Sequence, residues 1–119
     1  IGFVQFGGVE PGGVSDWGFY ASPTARRGSG RTIGLLALDH AFFELNLHKV
    51  CGQAIAQNDA SIHLHRRLGF REEGVLREHH RVGETYNSVV CFGLLRTEWP
   101  QSRAMLMSSP SGRDQGAQE

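Results

Sequence analysis

The feature that most constrains this chain is a change of period across a glycine-rich loop. Before the loop, residues 1–9 and 16–21 are β-type, with Ile1, Phe3 and Gln5 on one face of the first run. Pro11-Gly12-Gly13 lies between them: proline fixes φ and the glycines supply positive φ, so the pair reads as a hairpin with a longer loop. Ser22-Pro23-Thr24 ends the second strand. After the basic glycine loop Ala25-Arg26-Arg27-Gly28-Ser29-Gly30-Arg31 the period changes to about 3.6. Ile33, Ala37, Ala41 and Leu45 then fall in one row that Leu38 and Phe42 widen, which predicts a helix over 32–45 with one buried face.

The remainder continues the alternation. Residues 48–56 predict a strand. Asn58 is placed to cap a short helix running to Arg67, with Ile62 and Leu68 facing inward and Gly69 as its stop. Two more strands, 72–81 and 86–95, flank a turn at Val82-Gly83-Glu84. The order is β-β-α-β-α-β-β, an α/β (α+β) chain of one domain over residues 1–99. Residues 100–119, rich in Ser, Gly, Gln and Arg without periodicity, predict a disordered tail onto which Met105-Leu106-Met107 adds only weak docking. The chain opens on Ile1 in what reads as mid-strand, as expected of a piece whose first elements are missing.

Composition limits the function classes. Twelve basic and twelve acidic residues cancel, so no whole-molecule field draws in nucleic acid or an anionic membrane. The longest apolar run, residues 33–38, is far short of the ~20 residues that span a bilayer. Cys51 and Cys91 make no disulfide framework and point to a reducing, cytoplasmic setting. Both read as small buried hydrophobes. No metal is expected: His63 and His65 diverge on a helix, and His79 and His80 face opposite sides of a strand.

Against that neutral background, three arginines within six residues precede a helix. Bare loop amides and the helix dipole there suit an anion such as phosphate; a flexible loop with solvated arginines is the alternative. The segment is not a Walker loop, because Ala25 and Arg31 replace the required Gly and Lys. Nor is it a dinucleotide fingerprint, because Ile33 replaces the third Gly.

The loop pattern Ala25-Arg26-Arg27-Gly28-Ser29-Gly30 resembles the coenzyme A diphosphate loop of the GCN5-related N-acetyltransferases (GNAT family), with both glycines matched and Ala25 departing. The run from Asn58 through Ser61, Leu64, His65, Arg67 and Gly69 to Phe70 is similar to a second signature of that family, in which a Tyr usually stands where His65 does. Segments at Leu47-His48-Lys49-Val50, 73–78 and 92–99 resemble the nucleotide-amino-sugar N-acetyltransferases of pseudaminic acid biosynthesis.

The resemblance implies a mixed, mostly antiparallel sheet with helices on both faces. It implies acetyl-CoA as cosubstrate and an amine acceptor, a nucleotide-linked 4-amino sugar. Ribosomal-protein or peptide N-termini are the alternative acceptors, and a degenerate acyl-CoA-binding module is the non-enzymatic reading. Trp17, Phe19 and Ala21 would lie along pantetheine. Arg26, Arg27, Gly28, Ser29, Gly30 and Arg31 would meet the diphosphate, and Asn58 the pantetheine arm. His65, in the place of the acid, is expected to assist through a hydrogen bond. Asp16 and Glu10 read as solvated turn residues. An edge left open by a missing strand would favour a homodimer.

Overall fold

The computed structural model describes residues 2–21 and 29–108. Strands β1 (Gly2–Gly7) and β2 (Val14–Ala21) pair antiparallel, with Phe6 opposite Trp17 and Val4 opposite Phe19. β1 stops at Gly7 because Gly8 takes a positive φ of 67°, which turns the chain out of the ladder. β2 begins two residues earlier than expected, since Val14, Ser15 and Asp16 pair in parallel with Lys49, Val50 and Cys51 of β3 (Lys49–Ile55).

Helix α1 (Ser29–Asp39) also begins earlier than its stripe suggests and passes into a π-helical turn, His40–Glu44. There Leu45 donates its N–H to the His40 carbonyl at 2.9 Å, five residues back. The buried face centres on Leu38, Ala41 and Phe42, while Ile33, Ala37 and Leu45 are half-buried. Gly34 lets α2 (Asp59–Arg67) approach, for a Cβ there would lie 2.7 Å from Leu68 Cδ1. Asn58 caps α2 as expected, its Oδ1 accepting the Ser61 N–H at 3.1 Å. β4 (Arg71–Val82) and β5 (Thr85–Leu95) form a hairpin whose turn holds Gly83 at φ 62°.

The five strands order β1-β2-β3-β5-β4, and every neighbour pair except β2–β3 is antiparallel. The mixed, mostly antiparallel sheet is thus as expected. Trp17, Val50, Ala54, Phe92 and Leu94 bury on the face that meets the helices. Helices were expected on both faces; among the described residues they lie on this one, linked by the Gly34–Leu68, Asp39–Trp99 and Gly69–Ser102 approaches. Asp16, Cys51, Gln53 and Cys91 stand on the other face, exposed or half-buried. No described helix is long and apolar enough to cross a membrane.

The expected tail is corrected over its first part. Residues Trp99–Ser108 form a helix, α3, with Pro100 in the first turn where its missing N–H costs nothing. Long-range contacts hold it. The Asp39 carboxylate accepts the Trp99 indole N–H at 2.9 Å and the Arg103 Nε–H at 2.8 Å. Leu106 is buried, between exposed Met105 and Met107. Residues 109–119 lie outside the described residues.

Replacing Asp39 by Ala should strand the buried Trp99 indole N–H. A loss of about 2 kcal/mol in urea denaturation is expected, and Asp39→Asn, which keeps an acceptor, should lose less. Unchanged stability in Asp39→Ala would contradict the role of this clasp.

Candidate active site

β2 and β3 share only three parallel residue pairs, ending at Asp16 and Cys51. Beyond that point β2 continues to Ala21 with β1 on one side and, among the described residues, no strand on the other. The gap is a cavity of about 380 Å³. Asp16, Trp17, Gly18 and Phe19 of β2 form one wall, Cys51, Gly52 and Gln53 of β3 the other, and Ser61 and His65 of α2 close it. A shallower hollow of about 250 Å³ on the β1 side shares Asp16, Trp17 and Gly18.

Of the expected site residues, Trp17, Phe19 and His65 meet in this cavity. Ala21 ends β2. Ser29, Gly30 and Arg31 form the first turn of α1, where the leading N–H groups have no intrahelical acceptor. The Arg31 guanidinium donates to the Leu106 carbonyl at 3.4 Å, so its side chain also ties α1 to α3. Asn58 is exposed and does not line the cavity; its cap leaves the side-chain nitrogen unused. Arg26, Arg27 and Gly28 lie outside the described residues.

Other residues were underweighted in the sequence. Asp16 is no turn residue: it pairs with Gly7 of β1, is the last β2 position paired with β3, and borders both hollows. Glu10 stays in the exposed turn. Gly52 lies in β3, where strand patterning does not signal its role: a Cβ there would fall 2.5 Å from His65 Nε2 and 2.8 Å from Trp17 Nε1. Cys51 is half-buried rather than buried. Its burial pushes the thiol pKa up, partly opposed by Lys49, so it stays protonated near neutrality.

His65 is buried, with 2% of its surface exposed. Its Nε2 lies 3.1 Å from Trp17 Nε1, and its Nδ1 2.8 Å from the Ser61 carbonyl. An indole N–H only donates and a carbonyl only accepts, so the proton sits on Nδ1 and the lone pair of Nε2 faces Trp17. Burial pushes the imidazole pKa down, against a smaller upward pull from the Ser61 carbonyl. The ring is neutral at pH 7. Among the described residues no three His, Cys, Asp or Glu side chains converge to hold a metal.

Residues 1–71 match the acetyltransferase (GNAT) domain family. The chain belongs to that family. It is similar, at 34% identity over 86 residues, to an SPbeta prophage-derived uncharacterized N-acetyltransferase of Bacillus subtilis, covering 70% of this chain and 49% of that protein. It is similar to the same degree, over 73 residues, to spermidine N(1)-acetyltransferase of Vibrio cholerae, covering 61% of this chain and 42% of the relative. The chain therefore spans about half the length of these relatives or less. Among solved structures, a mutant of spermidine N-acetyltransferase from Vibrio cholerae superposes with a TM-score of 0.77 at 29% identity, over 83% of this chain and 60% of that one. A GCN5-related N-acetyltransferase from Brucella melitensis gives 0.72 at 26%, over 91% and 51%.

A depressed histidine pKa has a definite sign in stability. Below about pH 6.5 the unfolded chain protonates His65 while the folded chain resists, so stability falls as pH drops. The wild-type unfolding midpoint should therefore fall between pH 7 and pH 5 more steeply than that of His65→Gln. Equal slopes would contradict the burial of a neutral imidazole.

Proposed function

We propose that the protein carrying this chain is an acetyl-CoA-dependent N-acetyltransferase acting on a small primary amine. The observation that carries the reading is the parting of β2 from β3 after Asp16 and Cys51. It leaves a strand edge facing a 380 Å³ cavity, and β2 leads toward the entrance of α1. Acetyl-CoA supplies an activated acetyl thioester. An extended amide-bearing arm fits the β2 edge between residues 17 and 21, walled by Trp17 and Phe19, because unpaired backbone groups there need partners. A diphosphate suits the N-terminal amides at Ser29, Gly30 and Arg31, with Arg26, Arg27 and Gly28 preceding them. Asn58 keeps a side-chain nitrogen for the arm. A backbone N–H on the β2 edge is suited to hold a developing oxyanion.

Asp16 favours one acceptor class. An exposed carboxylate at the mouth of the cavity attracts an ammonium-bearing substrate and repels a nucleotide diphosphate. This supports a polyamine-like acceptor, in keeping with the spermidine acetyltransferase relative, over the nucleotide-linked 4-amino sugar expected from the sequence. Peptide N-termini remain the second class of acceptor. A cytoplasmic setting is supported by two free thiols, Cys51 and Cys91. Homodimerisation is supported by β4, an outer strand exposed along its whole length.

The test is acetyl transfer from acetyl-CoA to spermidine, a nucleotide-linked 4-amino sugar and peptide N-termini. Turnover of the polyamine is expected, with Asp16→Asn raising its KM about three- to tenfold. Acetyl-CoA uptake with no amine acetylated would overturn catalysis in favour of a binding module.

A further inference from the structure

We propose that His65 is a positioning residue: its imidazole accepts the Trp17 indole N–H and fixes that ring as the wall of the cleft, and it delivers no proton to the reaction. The inference deepens, and rests on, the acetyl-transfer reading of the cleft.

The geometry excludes the acid role that the position suggests. An acid for a leaving thiolate needs a proton facing the cavity. Nδ1 holds the only ring proton and donates it to the Ser61 carbonyl at 2.8 Å. Nε2 holds a lone pair that the Trp17 indole N–H occupies at 3.1 Å. A thiolate, with a conjugate pKa of about 8.5, leaves tolerably without a strong acid.

The ring is also clamped. It stacks on Phe92 at 4.8 Å and 8°, and meets Phe70 edge-on at 5.0 Å. Trp17 in turn touches Phe6, Phe19 and Phe70 at tilted angles, contacts that hold the ring by shape but offer its N–H no acceptor. The hydrogen bond to His65 is the directional contact. Gly52 completes the interlock, since any side chain there would drive into the atoms that form the bond.

A buried indole N–H without an acceptor is costly, so the bond selects one orientation of Trp17. Around His65, β2 and β3 bring the titratable Asp16 and Cys51 to the same cavity, whereas β5 brings Phe92 and α2 its own Ser61 carbonyl, neither of which ionises.

Two variants separate positioning from acid catalysis. His65→Gln places an amide oxygen where Nε2 stood and accepts the indole N–H, but it is no acid. His65→Phe fills the ring volume and accepts nothing. Trp17→Phe identifies the Trp17 indole signal in a two-dimensional 1H–15N spectrum, since Trp99 is the only other tryptophan. We expect His65→Phe to move that signal upfield, speed its solvent exchange and weaken acetyl-CoA binding about tenfold by calorimetry. We expect His65→Gln to restore the signal and most of the affinity.

The proposal is overturned if His65→Phe leaves both the signal and the affinity unchanged. It is equally overturned if His65→Gln keeps the signal yet loses acetyl transfer as completely as His65→Phe. Should the wild type take up no acetyl-CoA, the acetyl-transfer reading fails, and the indole signal still decides whether His65 holds Trp17.

Discussion

The structure depends on where two parallel strands stop pairing. β2 and β3 stay in register for three residue pairs and then separate, while each remains bonded to its antiparallel neighbour. Backbone N–H and C=O groups are obligatory hydrogen-bonding groups, so an unpaired strand edge beside a cavity is a place where a ligand can complete the ladder. Filling the gap from within would remove it. Glycines line both walls, Gly18 on β2 and Gly52 on β3.

Aromatic packing backs the gap between the separated strands. Trp17 sits among Phe6, Phe19, Phe70 and His65, and His65 lies flat on Phe92 of β5. One hydrogen bond joins a β2 side chain to an α2 side chain across the bottom of the cavity. A buried polar pair of this kind fixes orientation more than it adds net stability, because its value lies in the cost of leaving either partner unmet. Pocket shape and helix docking are therefore the same set of contacts.

Much of this was legible in the sequence where the signal is local. The element order, the Asn58 cap and the Gly83 turn follow from short-range patterns. The two signature runs pointed to the family that the comparisons then established. What escaped is nonlocal. α3 has no apolar stripe; Trp99 and Arg103 are held by Asp39, sixty and sixty-four positions away. The strand start at Val14 and Ser15 was missed because the parallel pairing that draws them into β2 involves β3, some thirty-five residues on. Within the expected stripe Leu38, Ala41 and Phe42 are buried, whereas Ile33, Ala37 and Leu45 are only half-buried, a distinction that helical periodicity does not make. Nor did the Tyr-to-His exchange at position 65 disclose its partner, since Trp17 lies forty-eight positions away and the bond needs the bare backbone of Gly52 between them.

The central claim is that the unpaired edge of β2 and the first turn of α1 together receive one extended ligand. The most direct measurement is a 1H–15N titration of the chain with coenzyme A, followed amide by amide. The account predicts that Gly18, Phe19 and Tyr20 on β2 and Ser29, Gly30 and Arg31 on α1 shift together along one binding curve, while β4 stays still. Saturation with neither segment moving, or shifts confined to β4 and β5, would contradict it.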